Sequence, residues 1–190
     1  MRGDPASDRI WTVPNVLSLI RLILSVVVFA CIERGSDVAA TILFTIAAST
    51  DRFDGWYART FNQVSRLGRI FDPLVDKVLI CGAFILVATA AGPIRPWMAV
   101  LVVVRELVVT AIRAEMERVG TDFSASFTGK LKMVFQCVAV ALALAARAWP
   151  DLALLSIGVE DAAVWTTWAA VLLTAWSGIE YLWAARTLLR

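Results

Sequence analysis

The chain has 190 residues, 59% of them hydrophobic, and a formal net charge of +2 at pH 7. Because soluble domains are typically about 45–50% apolar, this composition favours a membrane protein, and the small net charge argues against a nucleic-acid-binding protein. The sequence contains no histidine, which removes the usual zinc ligand and the usual general base of enzymes.

Long apolar runs recur along the chain and predict an all-α, polytopic membrane bundle of six transmembrane helices. The size fits a single domain over residues 1–190, with residues 1–14 as a cytoplasmic N-terminal segment and residues 15–190 as the bundle. The predicted spans are Val16–Ile32, Val38–Thr60, Leu67–Ala91, Pro96–Val119, Phe127–Trp149 and Ala162–Leu188. We interpret the first as a retained span rather than a cleaved signal peptide, and residues 150–161 as a loop.

The distribution of lysine and arginine predicts which side of the membrane faces the cytoplasm. With six spans, both termini and the loops after the second and fourth spans lie on one side. That side carries Arg2, Arg9, Arg59, Arg66, Arg69, Arg118, Lys130, Lys132, Arg186 and Arg190. The opposite loops carry only Arg34, Arg95 and Arg147. The asymmetry predicts a multi-pass protein of the cell membrane, the inner membrane in a bacterium, with both termini in the cytoplasm.

Four aspartates interrupt the apolar pattern of the second and third spans. Asp51 and Asp54 are three residues apart and Asp72 and Asp76 are four apart, so each pair shares one helix face. The two spans are antiparallel neighbours, which predicts that both pairs lie at a similar depth near the cytoplasmic helix ends. Bare carboxylates so close together would repel one another. An all-oxygen ligand set suits Mg2+ or Mn2+, and two such ions suit phosphoryl-group chemistry.

Small and basic residues accompany the aspartates. Gly55, Ala58 and Gly68 either allow close helix packing or let a ligand approach the backbone. Arg59 either extends to the membrane interface or contacts a phosphate. For the aspartates themselves, the structural alternative is ion pairing with Arg52, Arg59, Arg69 or Lys77.

These residues also carry a family resemblance. The segments "DRFDGWYAR" at Asp51–Arg59 and "GRIFDPLVD" at Gly68–Asp76 match D-x2-D-G-x2-A-R-x8-G-x3-D-x3-D at all eight fixed positions. That pattern is the signature of the CDP-alcohol phosphatidyltransferases, which the chain therefore resembles. More loosely, "PNVLSLIRL" at Pro14–Leu22, "RELVVTAIR" at Arg105–Arg113 and "GKLKMVFQ" at Gly129–Gln136 resemble the branch that makes phosphatidylglycerophosphate.

The resemblance implies a divalent-metal-dependent enzyme that transfers a phosphatidyl group from CDP-diacylglycerol to glycerol 3-phosphate. By motif position, two Mg2+ or Mn2+ ions would be bound by Asp51, Asp54, Asp72 and Asp76. Asp76 would also act as the general base. CDP-diacylglycerol would contact Gly55, Ala58, Arg59 and Gly68.

An acceptor that carries its own phosphate requires further cations. Arg105 and Arg113 are eight residues apart and lie roughly on one face of the fourth span, and Lys130 enters the fifth span from the cytoplasm. We predict that these three bind the acceptor phosphate on the cytoplasmic side of the aspartate site. Arg105 lies deep in an apolar run, where an ionisable residue indicates function; the alternative is pairing with Glu106, Asp122 or one of the four aspartates. Arg21 in the first span raises the same question.

Other functions compete with this interpretation. Within the same family, the acceptor could be phosphatidylglycerol, giving cardiolipin, or an inositol phosphate or serine. A cation transporter would usually place its site near the membrane midplane, often with broken helices, whereas these aspartates lie towards one face of continuous spans. A non-catalytic scaffold would not need the full signature. The expected partners are CDP-diacylglycerol, glycerol 3-phosphate and membrane lipids, with no nucleic acid, and a homodimer is left open.

Overall fold

A computed structural model of the chain describes residues 13–60, 68–118, 127–154 and 157–188, and within them the side chains of residues 15–50, 74–116, 128–153 and 157–186. The described residues form six α-helices and one pair of short strands. The helices are α1 (Val13–Glu33), α2 (Asp37–Thr60), α3 (Gly68–Ala88), α4 (Pro96–Arg118), α5 (Phe127–Ala148) and α6 (Val159–Leu188). Each predicted span is matched by one helix whose ends lie within three residues of the prediction, so the all-α prediction is confirmed.

Three of these helices are long and apolar enough to cross a membrane. The qualifying segments in the described part of the chain are Asn15–Glu33 of α1, Thr128–Ala148 of α5 and Val159–Arg186 of α6. In α2 the apolar segment is shorter, Asp37–Thr50. Large apolar side chains such as Ile23, Val26 and Leu172 are exposed along α1 and α6. Extended exposed apolar surfaces are unusual in soluble monomers and are typical of contact with lipid or protein partners.

The segment before α6 differs from the predicted loop. Strand β1 (Ala153–Leu154) pairs antiparallel with strand β2 (Ile157–Gly158). The helix α6 then begins at Val159 rather than at Ala162, and the backbone N–H of Val159 donates to the carbonyl of Leu152 at 2.9 Å. Glu160 and Asp161 lie in the first turn of α6, where the positive end of the helix dipole stabilises carboxylates. Glu160 and Asp161, which suggest a polar loop in the sequence, therefore form part of the first turn of α6.

The chain divides into two compact units, Met1–Ala83 and Phe84–Arg190. In the first unit, α1 is terminated by Gly35, whose φ of 70° is the left-handed conformation that glycine adopts without strain. The N–H of Gly35 donates to the carbonyl of Ile32 at 3.1 Å, and the N–H of Ser36 donates to the carbonyl of Cys31 at 2.9 Å. This pair of bonds is a Schellman C-cap. Because α2 begins at Asp37, the short connection makes α1 and α2 an antiparallel hairpin.

Contacts between α1 and α3 also lie within the first unit. Arg21 of α1 pairs with Asp76 of α3, and eight residues further along α1 the ring of Phe29 lies against Gly82. Both contacts advance in the same direction along the two helices, so α1 and α3 are parallel. A Cβ atom at Gly82 would overlap Cζ of Phe29, which shows how closely the ring approaches the α3 backbone.

Helices α5 and α6 of the second unit are antiparallel and are joined by polar side chains. Gln136 Nε2 donates to Thr174 Oγ1 at 2.9 Å, and Thr128 Oγ1 donates to Glu180 Oε2 at 2.5 Å. Fully buried small residues, which allow close helix approach in membrane proteins, include Ala139, Ala143, Ala163 and Ala170. Interhelical hydrogen bonds and close packing at small residues therefore hold α5 against α6. In a membrane, burial of apolar surface alone would not do so, because lipid is equally apolar.

Helices α4 and α6 lie side by side in parallel within the same unit. Near the start of α4 the rings of Trp97 and Trp168 have their centroids 5.9 Å apart. Eight residues further along α4, Arg105 lies beside Gly178 of α6. Both contacts again advance in the same direction along the two helices. This packing brings the middle of α6 against the charged part of α4.

The close contact at Gly82 generates a stability prediction. Gly82→Ala adds a methyl group where the ring of Phe29 already lies, and such overpacking typically costs about 1–3 kcal/mol. The gain in helix propensity, about 1 kcal/mol, offsets only part of that cost. We expect the melting temperature of the purified protein in detergent to fall.

The matched control is Gly92→Ala, because a Cβ atom at Gly92 meets no described heavy atom within 4 Å. That variant should melt within error of the wild type. A Gly82→Ala protein as stable as the control would contradict the packing of α1 against α3.

Candidate functional site

The aspartates of the predicted site lie on the helices that the sequence analysis expected. Asp51 and Asp54 belong to α2, and Asp72 and Asp76 belong to α3. The predicted donor-binding residues Gly55, Ala58 and Arg59 also lie in α2, and Gly68 is the first residue of α3. Of all these, only Asp76 has a described side chain. The predicted metal cluster and donor contacts therefore lie outside the described side chains and stay predictions.

Asp76 is held by an arginine from α1. The Nη1 atom of Arg21 donates to Oδ1 of Asp76 at 2.6 Å, a short, charge-assisted hydrogen bond. The Arg21 side chain is only 3% exposed and that of Asp76 is 18% exposed. At this burial, neither charge is well solvated, so the pair constrains the direction of the Asp76 carboxylate.

This partner is not among the four cations named from the sequence as structural partners of the aspartates, and Arg21 was raised there only as an open question. Lys77 and the arginines of α2 and α3 are near Asp76 along the chain, whereas Arg21 is 55 residues away. The signal that could have found it is its position: Arg21 is a basic residue inside the apolar run of α1, where an unpaired charge is costly. Local sequence does not identify which carboxylate on another helix meets this arginine.

A second polar cluster is buried in the other unit and contains one of the predicted acceptor residues. Arg105 is 9% exposed, and its Nη1 atom donates to Oε1 of Glu106 at 3.2 Å. The same carboxylate oxygen forms an ion pair with Nζ of Lys132, which is also buried. The guanidinium carbon of Arg105 lies 5.5 Å from the ring centroid of Tyr181. Pairing with Glu106, the alternative considered for Arg105, is thus observed.

The three predicted acceptor residues differ in burial. Arg113 is half-buried and Lys130 is exposed, in contrast to the buried Arg105. Lys132 is the α5 lysine that contacts the cluster, whereas the sequence pattern predicts for it only a cytoplasmic charge. Two residues along a helix turn the side chain by about 200°, so neighbouring lysines at positions 130 and 132 point in different directions. The role of Lys130 in acceptor binding stays a prediction.

The described side chains contain no group of three or more acidic, cysteine or histidine residues placed to hold a metal ion. This finding does not reach the predicted cluster, because the side chains of Asp51, Asp54 and Asp72 are not described. The chemistry of the donor set still fits Mg2+ or Mn2+, since all four candidate ligands are carboxylates. Their backbone positions on α2 and α3 fit the predicted helical spacing.

The pair formed by Arg21 and Asp76 generates a prediction for a double-mutant cycle. Arg21→Met keeps the length of the side chain and leaves Asp76 as a partly buried carboxylate without this partner. Breaking a buried ion pair typically costs about 3–5 kcal/mol, and partial exposure of Asp76 places the expected loss of unfolding free energy at the lower end. The double variant Arg21→Met/Asp76→Asn should lose less than the sum of the two single losses.

Arg34→Met is the control, because Arg34 is an exposed arginine at the end of α1. Its unfolding free energy should change by no more than about 0.5 kcal/mol. Additive losses in the cycle would show that the two side chains do not interact in the folded protein.

The chain is similar to known proteins well beyond the aspartate signature. The chain is 36% identical over 185 residues to the CDP-diacylglycerol–glycerol-3-phosphate 3-phosphatidyltransferase of Escherichia coli strain K12, covering 93% of this chain and 96% of the relative. Proteins with the same name from Shigella sonnei strain Ss046 and Shigella flexneri serotype 5b strain 8401 show the same identity and coverage. Residues 11–176 match the CDP-alcohol phosphatidyltransferase family. This match includes α1 to α5 and the aspartate signature, so the chain belongs to the CDP-alcohol phosphatidyltransferase family.

Proposed function

We propose that the chain transfers a phosphatidyl group from CDP-diacylglycerol to glycerol 3-phosphate, releasing CMP and forming phosphatidylglycerophosphate. The observation that carries the proposal is the similarity over 93% of the chain to relatives named for this reaction. The unbroken signature over Asp51–Asp76 supports the same chemistry independently of overall identity. A scaffold or a cation transporter would need neither the signature nor this similarity.

The enzyme acts in a membrane, with all six helices crossing it and both termini in the cytoplasm. The three apolar segments of α1, α5 and α6 support membrane insertion, and the excess of lysine and arginine on the terminus side supports the orientation. Accordingly, the site opens towards the cytoplasm, where glycerol 3-phosphate is dissolved. A reporter enzyme that is active only in the cytoplasm, fused after Arg190, should be active; an inactive fusion would contradict the orientation.

The donor is held through its pyrophosphate and its cytidine. The residues that would hold two Mg2+ or Mn2+ ions are Asp51, Asp54, Asp72 and Asp76. When bound, these ions neutralise the charge of the pyrophosphate. Arg59 contacts a phosphate, and the small side chains of Gly55 and Ala58 leave room for the nucleotide. The acyl chains of the donor lie among the apolar helices.

Asp76 is the general base of the transfer. It accepts the proton of an acceptor hydroxyl while that oxygen forms a bond to the phosphorus that carries diacylglycerol. The bond from this phosphorus to the bridging oxygen of the pyrophosphate breaks, and CMP leaves with that oxygen. Arg21 supports the assignment, because its hydrogen bond to Oδ1 constrains the carboxylate that receives the proton.

Arg105, Arg113 and Lys130 bind the phosphate of the acceptor. Arg105 supports this role because it is a buried cation in an apolar helix, where charge is retained mainly for function. Glycerol 3-phosphate carries a dianion that needs such cations, whereas serine does not.

The aspartate assignments predict a divalent-metal requirement and separable roles. EDTA should abolish transfer from labelled CDP-diacylglycerol to glycerol 3-phosphate, and added Mg2+ or Mn2+ should restore it. Asp51→Asn and Asp72→Asn should remove most activity because each loses an anionic ligand.

Asp76→Asn should still bind CDP-diacylglycerol while transfer falls by at least about 100-fold, as for the loss of a general base.

Circular dichroism and gel filtration of each variant provide the folding control. Full activity in excess chelator would rule out the metals, and turnover of Asp76→Asn within a few-fold of the wild type would rule out the base. An acceptor profile in which serine or phosphatidylglycerol replaces glycerol 3-phosphate would correct the acceptor and leave the transfer chemistry intact.

The acceptor assignment predicts substrate-selective kinetics. Charge-assisted hydrogen bonds contribute about 1.5–3 kcal/mol each, so Arg113→Ala or Lys130→Ala should lower kcat/KM for glycerol 3-phosphate by about 10–150-fold. The KM for CDP-diacylglycerol should change much less. Arg95→Ala is the matched control, since Arg95 is an exposed arginine on the predicted opposite side of the membrane. Equal losses for both substrates would show that these residues serve the donor or the fold.

A further inference from the structure

Arg105 has hydrogen-bonding capacity that its described neighbours do not use. An arginine carries five N–H donors, and the described contacts supply one hydrogen bond, from Nη1 to Glu106. Its Nε atom is buried and has no hydrogen-bond partner among the described residues. Buried donors in native proteins are nearly always paired, so a guanidinium in this state indicates a missing acceptor.

Contacts from α6 hold both ends of this side chain. Tyr181 faces the guanidinium, with 5.5 Å between the ring centroid and Cζ, which is within the range of a cation–π interaction. Gly178 precedes Tyr181 by three residues and therefore lies on the same face of α6. A Cβ atom at Gly178 would lie 3.3 Å from Cγ of Arg105, so the aliphatic part of the arginine packs directly on the α6 backbone. The stem and the head of Arg105 are thus both constrained by one helix.

The acidic neighbour of Arg105 orients the guanidinium and also contacts a second cation. Oε1 of Glu106 accepts from Arg105 and also forms an ion pair with Lys132. One carboxylate is therefore shared by two cations. Arg105 keeps a buried Nε donor that this carboxylate does not engage, and such a donor suits an anionic ligand.

We propose that Tyr181 and Gly178 make α6 a positioning element of the acceptor site. They hold the Arg105 guanidinium so that its remaining donors meet an oxyanion, the phosphate of the acceptor. Tyr181 acts through Arg105 and does not touch the reacting atoms. The inference rests on the proposed function, since it takes glycerol 3-phosphate as the acceptor, and it assigns α6 a part in substrate recognition that no residue of the family signature supplies.

The test compares steady-state kinetics of the wild-type protein and four α6 variants, one of which is a control. Tyr181→Leu removes the ring, and Tyr181→Phe keeps the ring while removing the hydroxyl. For Tyr181→Leu, kcat/KM for glycerol 3-phosphate should fall by about 2–30-fold, the range that a cation–π contact contributes. The KM for CDP-diacylglycerol should stay within about twofold. Tyr181→Phe should recover most of the loss, because the ring face remains.

Two further measurements guard against a simple loss of folding. Gly178→Ala displaces the stem of Arg105 by a few tenths of an ångström and should produce a smaller loss with the same substrate selectivity. Glycerol 3-phosphate alone should raise the melting temperature of the wild type more than that of Tyr181→Leu, since a ligand stabilises a protein according to its affinity. Trp183→Leu is the matched control, because Trp183 is an aromatic residue of α6 that is 74% exposed.

Several outcomes would overturn the inference. These are unchanged kinetics in Tyr181→Leu, equal losses for both substrates, or a Tyr181→Phe variant as impaired as Tyr181→Leu. If Tyr181→Leu does not fold, an effect of Gly178→Ala on both substrates alike would overturn it too. The proposed function is tested separately. If the wild-type protein does not use glycerol 3-phosphate, that function is refuted. If the wild type uses it and the α6 variants are unaffected, only the role of α6 is refuted.

Discussion

Burial of positive charge is the constraint that organises the interior of both units. An arginine inside an apolar helix is tolerated only where an anion, a hydrogen-bond acceptor or an aromatic face meets it. Arg21 of α1 meets Asp76 of α3, and Arg105 of α4 meets Glu106 beside it and Tyr181 of α6. In each unit, therefore, one buried arginine links two parallel helices that are not consecutive in the chain.

Glycines make these links geometrically feasible. Phe29 lies against Gly82 on the helices that carry Arg21 and Asp76, and the stem of Arg105 lies against Gly178 next to Tyr181. A side chain at either glycine would push the partner helix away or displace the residue packed on it. No short connection joins α1 to α3 or α4 to α6, so each of these pairs depends on such side-chain contacts. The glycines thus serve packing, and the packing brings the charges together.

The two charge clusters differ in a way that fits different tasks. Arg21 donates a charge-assisted hydrogen bond to Asp76, which suits a carboxylate whose direction must be constant. In the other cluster, Glu106 contacts both Arg105 and Lys132, and Arg105 keeps a buried donor without a described partner, which suits a site for an anion. A reaction that transfers a phosphatidyl group to a soluble phosphate ester needs both properties. The proposed division between a base on α3 and anion recognition by α4 and α6 follows from this difference.

Local properties of the sequence determined the number and approximate extent of the six helices, the positions of the aspartates on α2 and α3, and the family. Hydropathy and residue spacing act over a few turns of one helix, so they can be evaluated without knowing which helices touch. The start of α6 and its preceding strands were missed, because Glu160 and Asp161 stabilise a helix end as well as a polar loop. Only the tertiary structure decided that Asp76 meets Arg21, that Lys132 pairs with Glu106, and that Tyr181 covers Arg105. Those contacts depend on how each helix is rotated about its axis and shifted along it relative to its neighbours. Packing across the whole unit determines both the rotation and the shift.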